Sequence, residues 1–317
     1  MTSHPPRTHS IMRIAIIGRT EILYETVGLL TGRGHEIGLT LTAKESPEYT
    51  KGSDDFRALA KELGIPFVHT AKIDEQTDFI RSLPPMEIGV SLNYSGIISQ
   101  RVIDLFPLGI LNAHGGDLPR YRGNACQAWA ILNQENRIGL CIHRMIGGEL
   151  DSGDIVCREY LPIDLNTKVT AAYNWMAECI PPLFLDAIER LSANPSYVLE
   201  IQSKDSADAL RCYPRRPEDG RIDWTRTAED ILRLINASNR PFSGAFCELE
   251  EKRVVIWDAV LGPPENFLAV PGQITALCDE FLEVATGRGK LRLRELECDG
   301  CQIAPRILCR SVRQRLD

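Results

Sequence analysis

Residues 111–155 read LNAHGGDLPRYRGNACQAWAILNQENRIGLCIHRMIGGELDSGDI. Just upstream, Leu108-Gly109-Ile110-Leu111 is an apolar run of the kind that makes a buried strand. It ends on two polar residues one position apart, Asn112 and His114, and a Gly-Gly-Asp-Leu-Pro turn and an Arg-Tyr-Arg-Gly stretch follow. A second apolar run, residues 140–145, leads into Gly147-Gly148-Glu149-Leu150-Asp151-Ser152-Gly153-Asp154. An amide, an imidazole and a carboxylate thus stand at the ends of two strands, each beside glycines. Open α/β sheets build their sites at such strand ends, next to tight loops.

Outward from this stretch the chain alternates between short apolar runs and helical spacing. Residues 12–18, 37–41, 66–68, 88–92 and 110–114 read as strands, and residues 21–31, 54–63 and 77–83 as helices. That order predicts an α/β domain with a mostly parallel twisted sheet, Rossmann-like, covered on both faces. The first strand ends on a single Gly18 and not on Gly-x-Gly-x-x-Gly, so a dinucleotide fold of the usual kind is not supported. The Arg19-Thr20-Glu21 turn reads as a helix cap and nothing more.

Residues 169–191 have helical spacing, with Pro181-Pro182 expected to kink or split the helix. A change of composition near residue 195 marks a boundary. Thr227-Ala228-Glu229-Asp230 reads as a helix start, and short β-like runs follow at 245–249, 254–260, 272–277, 281–286 and 291–296. Short runs with turn signals between them suggest a small β-barrel, OB-like in kind. The expected organisation is a polar tail at 1–11, a catalytic domain at 12–195, a linker at 196–220, the β-domain at 221–305 and a tail at 306–317.

With 317 residues the chain can bury a large core, and its 44% hydrophobic and 25% charged residues are ordinary for a globular protein. No apolar run of the length that spans a membrane occurs, and residues 1–11 lack the apolar middle of an export signal, so a cytoplasmic setting is expected. Most of the ten cysteines sit in apolar runs and read as small hydrophobes. Cys298-Asp299-Gly300-Cys301 has zinc-knuckle spacing, but no second pair completes it, so no metal is expected. A net charge of −7 argues against a nucleic-acid substrate.

Asn-x-His, then Leu-Pro-x-Tyr-Arg-Gly, then Leu-Asp-x-Gly-Asp, in this order and spacing, resembles the formyltransferases that use 10-formyltetrahydrofolate as donor. Asp219-Gly-Arg-Ile-Asp-Trp224, Ser243-Gly-Ala-Phe246 and Pro271-Gly-Gln-Ile274 more loosely resemble the carboxy-terminal domain of methionyl-tRNA formyltransferases and of nucleotide-sugar N-formyltransferases. The resemblance spans roughly residues 12–300 and implies a catalytic trio of Asn112, His114 and Asp151. It also implies that two loops line the folate pocket. These are residues 92–98, with Gly96 and Ile98, and residues 146–150, with Ile146, Gly147, Gly148 and Leu150. The glycines would let backbone approach a flat ring, and the isoleucines would pack its faces.

The chemistry suits these residue types. Formyl transfer is acyl transfer to an amine, and the oxyanion that develops on the formyl oxygen needs fixed donors. Asn112 offers an amide NH₂; His114 offers a ring N–H or takes the amine's proton. Two residues apart on one strand, they project to the same side. Asp151 can orient His114, hold a water or relay the proton; the division of labour stays open. His143, in mid-strand, reads as a packed histidine, as do His35 and His69. Trp129 reads as core. Arg120 and Arg122 read equally as anion contacts at the mouth of the site and as exposed loop cations.

Two departures bear on the acceptor. Methionyl-tRNA formyltransferases tend to carry Ser-Leu-Leu-Pro where this chain has Gly115-Gly116-Asp117-Leu118-Pro119. They also carry a basic loop after the second strand, where residues 44–55 here hold four acids against two lysines. Such a loop repels phosphates. The expected function is therefore N-formylation of a small primary amine, a nucleotide-linked amino sugar as in cell-surface polysaccharide synthesis, with the folate as donor co-substrate. Methionyl-tRNA and a hydroxyornithine-like siderophore precursor are the alternatives. A homodimer is compatible with the sequence, and no membrane partner is expected.

Overall fold

The computed structural model describes residues 10–44, 46 and 49–317. The expected tail at 1–11 therefore lies outside the described residues except for Ser10 and Ile11, as do Glu45 and Glu48 of the acidic loop. The chain forms two compact units. The first comprises residues up to 123, 139–160 and 175–211; the second comprises 124–138, 161–174 and 212–317. The division is interleaved, so segments from the middle of the chain contribute to the carboxy-terminal unit.

The first unit is built on β1 (Arg13–Gly18), α1 (Glu21–Gly32), β2 (Glu36–Thr42), α2 (Ser53–Leu63), β3 (Phe67–His69), α3 (Thr77–Ser82), β4 (Ile88–Leu92), α4 (Gln100–Ile103) and β5 (Ile110–His114). It continues with β6 (Tyr121–Gly123), after which the chain runs through α5 (Cys126–Leu132) of the second unit to β7 (Arg137–Arg144) and β8 (Ile155–Pro162). The seven-stranded sheet has the order β3-β2-β1-β4-β5-β7-β8. β1 pairs parallel with β2 and β4, and β4 with β5, while β5 and β7 run antiparallel. Alternation along β1 sends Ile14 and Ile16 into one buried cluster and Ala15 and Ile17 into another, so both faces are covered. Gly18 is forced by packing: a Cβ there would lie 2.0 Å from the carbonyl oxygen of Leu92 at a φ of 139°.

The long helix α6 (Val169–Ala193) is one helix and not two, although Pro181 and Pro182 lie inside it. A proline inside a helix costs about 3 kcal/mol or more. Burying Met176, Ile180, Phe184, Ile188 and Leu191 against the sheet returns about 1.5–3 kcal/mol per side chain. Burial outweighs the local conflict.

The second unit holds α7 (Ala228–Ala237) beside antiparallel strands; the chain reaches it through the short β9 (Leu210–Cys212), which pairs with β6. The Thr227 hydroxyl caps α7 by accepting from the Asp230 N–H at 3.1 Å. The strands are β10 (Ala245–Leu249), β11 (Lys252–Leu261), β12 (Ile274–Leu277), β13 (Leu282–Ala285), β14 (Lys290–Cys298) and β15 (Cys301–Ile303), and a short α8 (Pro305–Leu308) follows. The ladder runs β10-β11-β14-β13-β12, with β15 on β14.

The stretch expected to be a tail belongs to this fold. Asp317 exchanges both backbone hydrogen bonds with Glu248 of β10, and Leu316 N–H donates to Gly272 beside β12 at 3.0 Å. Arg315 bridges Gln273. The segment therefore lies between the two ends of the ladder, and Cys309 and Leu316 are fully buried in the core of the unit. Sequence reading missed this because one buried leucine among arginines carries no period. We expect Leu316→Ala to lower unfolding stability by about 2–5 kcal/mol, read from urea denaturation; a loss below about 0.5 kcal/mol would mean the segment is not part of the core.

Candidate active site

The residues expected to act together do converge. Asn112 and His114 lie two apart on β5, at its carboxyl end, and so share a face. The antiparallel register sets His143 of β7 directly opposite Asn112, and Cys141 opposite His114. Residues 145–154 connect β7 to β8, with Arg144 N–H donating to the Asp154 carbonyl at 3.0 Å, and this closure carries Asp151 back over the strand ends. Asp151 sits at a φ of 46°, a left-handed conformation that aspartate tolerates better than most residues.

The Asp151 carboxylate is the hub. One oxygen accepts from the Gly123 N–H at 2.9 Å and lies 3.5 Å from His114 Nδ1; the other lies 3.6 Å from His143 Nε2. His114 Nε2 is 2.6 Å from the Tyr121 carbonyl. A carbonyl only accepts, so Nε2 carries the proton and Nδ1 turns towards Asp151. By the same reasoning His143 donates from Nδ1 to the Arg144 carbonyl at 2.9 Å. Its Nε2 then accepts from the Asn112 amide at 3.3 Å.

Burial alone would raise the Asp151 carboxyl. The two histidines and the Gly123 N–H reverse that and hold it at about 2. Burial pushes His114 below the ordinary histidine value, against the pull of Asp151 and the Tyr121 carbonyl. At neutral pH the pair is therefore a neutral imidazole beside an ionised carboxylate. Nδ1, 3.5 Å from the carboxylate, is the nitrogen that can take up a proton, and a proton arriving there is held by Asp151.

His143, expected to be a packed, hydrogen-bonded histidine, is buried and bonds the Arg144 carbonyl. It is also a neighbour of both Asn112 and Asp151, which the sequence does not indicate. Alternation along β7 places His143 and Cys141 on one face, but nothing in the sequence reveals that β7 pairs antiparallel with β5. Gln202 was missed altogether. It is 1% exposed, donates to the Asp151 and Gly153 carbonyls at 3.0 and 2.6 Å, and accepts from Arg122 at 3.0 Å. Arg122 therefore braces the Asp151 loop through Gln202. Arg120 is exposed, with its guanidinium 5.4 Å from the Tyr121 ring centroid. The Gly115-Gly116-Asp117-Leu118 turn is held by Arg158, which donates to Asp117 at 2.6 Å and to the Leu118 carbonyl at 2.7 Å. His35 and His69 are structural, bonding Met12 N–H and the Thr42 hydroxyl. Trp129 is partly buried, and its indole N–H donates to the Tyr213 carbonyl at 2.9 Å.

Of the two loops expected to line a donor pocket, the second is tied to the start of α4, because Gly147 N–H donates to the Gln100 side chain at 2.9 Å. A Cβ on Gly147 would lie 2.2 Å from the Gln100 backbone, and one on Gly96 would lie 2.1 Å from the Ala71 carbonyl oxygen. Both glycines thus serve loop packing. Gly148, at a φ of 79°, has open space where a Cβ would be. Ile98 is buried in the core cluster with Val102 and Ile103, so it supports the loop from beneath and offers no face to a ring. Ile146 is partly exposed and Leu150 is 44% exposed. Among the described residues no group of three or more His, Cys, Asp or Glu could hold a metal ion.

Residues 31–188 match the family Formyl transferase, and residues 215–306 match Formyl transferase, C-terminal domain. The chain belongs to the formyl transferase family. Among relatives of this formyl transferase, the methionyl-tRNA formyltransferase of Citrifermentans bemidjiense is 28% identical over 302 residues, 93% of the chain and 91% of the relative. The N-formyltransferase from Helicobacter canadensis, solved with folinic acid and dTDP-3-aminofucose, superposes with a TM-score of 0.66 at 16% identity, over 90% of the chain and 99% of its own. HypX from Aquifex aeolicus, solved with tetrahydrofolic acid, superposes with a TM-score of 0.61 at 19% identity over 94% of the chain, which spans about half (46%) of HypX. These two likenesses are likenesses of fold.

Two outcomes follow for this formyl transferase. His143→Ala removes the acceptor that fixes the Asn112 amide and is expected to lower kcat about fivefold with KM unchanged, one net hydrogen bond's worth; an unchanged kcat would show that Asn112 needs no such anchor. Asp151 titrates at about 2 in the fold against 3.8 ordinarily. A depressed carboxyl stabilises the fold above its ordinary value and loses that effect as pH falls. We therefore expect about 2 kcal/mol of stability to disappear between pH 4 and 2, measured by denaturation. Asp151→Asn should lack that part of the slope, and identical slopes would refute the assignment.

Proposed function

We propose that the chain transfers the formyl group of 10-formyltetrahydrofolate to the primary amine of a small acceptor, a nucleotide-linked amino sugar. The observation that carries the chemistry is the convergence of Asn112, His114 and Asp151 on one strand end. The solved folate complexes of HypX and of the Helicobacter canadensis enzyme support the donor. The acidic composition of residues 44–55 supports a small acceptor over a polyanion.

In this reading the amine nitrogen attacks the formyl carbon and the carbonyl electron pair moves onto oxygen. One Asn112 N–H is engaged by His143; the other is free to meet the oxyanion. The proton lost by the amine moves to His114 Nδ1, where Asp151 stabilises it, and is returned to the folate nitrogen as the carbon–nitrogen bond to the donor breaks. Gly96 and Gly147 let their loops pack against Ala71 and Gln100, Gly148 leaves room for backbone to approach a flat ring, and Ile146 and Leu150 supply apolar surface beside them for the pterin.

Formylation of initiator methionyl-tRNA is the second reading, favoured by 28% identity along 93% of the chain. Purified protein incubated with the formyl donor and either amino-sugar nucleotides or charged initiator tRNA separates the two by which product gains one formyl group. Gain on the tRNA alone overturns the sugar reading. His114→Ala and Asp151→Asn are each expected to lower turnover by about 10² to 10⁴ with the fold intact, checked by kcat and circular dichroism; near-normal turnover in either would remove the proton-relay role.

A further inference from the structure

Cys298 and Cys301 stand opposite each other across a two-residue hairpin turn of the second unit. β14 and β15 pair antiparallel, with Leu296 opposite Ile303, Glu297 opposite Gln302 and Cys298 opposite Cys301. Only Asp299 and Gly300 lie between, and both have positive φ, 53° and 75°. Positive φ at both central residues is the mark of a type I′ hairpin turn, for which Asp-Gly is a preferred sequence. Residues directly opposite in an antiparallel pair project to the same face, with Cα atoms about 4.5–5.5 Å apart. That separation falls inside the window of about 4.4–6.8 Å that a disulfide spans. Both thiols are free.

The two sulfurs differ in access. Cys301 lies on the edge strand and is exposed, whereas Cys298 is 9% exposed. Burial, with the neighbouring Asp299 carboxylate, pushes the Cys298 thiol up. An accessible thiol beside a shielded one is the arrangement of an attacking and a resolving pair.

We propose that Cys298 and Cys301 form a thiol-oxidation site that a small-molecule disulfide converts reversibly to an intramolecular disulfide across the hairpin. The Cys301 thiolate attacks one sulfur of the reagent disulfide, forming a mixed disulfide and releasing one reagent thiolate. The Cys298 thiolate then attacks the Cys301 sulfur and releases the second. Two protein thiols are oxidised, one reagent disulfide is reduced to two thiols, and the two cysteine protons pass to the released thiolates. The stiffness of a two-residue turn leaves little freedom for relaxing the bridge, and strained bridges are the readily reduced ones, so a dithiol reverses the step.

The full chain is treated with glutathione disulfide, free thiols are alkylated, and the peptide holding residues 298–301 is weighed without reduction. The expected result is loss of two hydrogens with no glutathione retained and no alkylation at either cysteine, reversed by dithiothreitol. Cys298→Ser should instead stop at a glutathione adduct on Cys301, and Cys301→Ser should leave Cys298 alkylatable only after unfolding. A wild-type protein that stops at the Cys301 adduct, that bridges Cys301 to another cysteine or that stays unmodified overturns the proposal. A trivalent phenylarsenical supplies a readout independent of oxidation. It should bind the wild type at one equivalent through this peptide, and equal binding by either serine variant would show that the two thiols do not act as a pair.

Discussion

A carboxylate buried between two imidazoles is the constraint around which the first unit is arranged. Removing a charge from water costs several kcal/mol unless partners replace the water. Asp151 accepts from the Gly123 N–H, and it stands beside His114 on β5 and His143 on β7, whose rings compensate its charge when they take up a proton. The Asp151 loop needs Gln202 to hold two of its carbonyls, and Gln202 in turn needs Arg122. The contacts that make the charge tolerable also aim it at the His114 nitrogen that remains basic. Folding and chemistry therefore draw on the same few bonds.

The departures in the turn after His114 acquire a physical meaning in this frame. Asp117 stands in a turn that crosses Gly116 and Leu118, and Arg158 binds its carboxylate together with the Leu118 carbonyl and Glu200. Gly116 lies where a Cβ would come within 2.5 Å of the His114 ring and 2.3 Å of the Tyr121 carbonyl oxygen. The small residue lets the ring seat on its carbonyl acceptor, and the aspartate ties the turn to β8.

Much of this was legible in the sequence because the signals were local. Apolar runs ending on glycine or on polar residues marked β1, β4 and β5, and the spacing of Asn112 and His114 put them on one face. Asp151 could be named through the resemblance of its Leu-Asp-x-Gly-Asp segment to the formyltransferases, since that segment alone reads as a turn. The illegible parts are non-local. His143 looks like any strand histidine until the antiparallel partner of β7 is known. Gln202 lies in a stretch without periodicity, so no pattern separates it from its neighbours. Ile98 and Gly96 read naturally as pocket residues, yet the space around each is filled by the loop's own support. The Pro181-Pro182 pair is a strong local signal overruled by the summed burial of α6, a quantity that no short window contains.

The pairing of residues 315–317 has a further consequence. A row of unpaired backbone donors and acceptors is a template on which a foreign strand can add, which is how sheets aggregate edge to edge. In the second unit β10 and β12 end the ladder, and each would present such a row. Asp317 occupies groups of Glu248 on one side, and Arg315 and Leu316 occupy groups of Gln273 and Gly272 on the other. A three-residue stretch with one buried side chain thus shields two sticky borders from copies of the same chain.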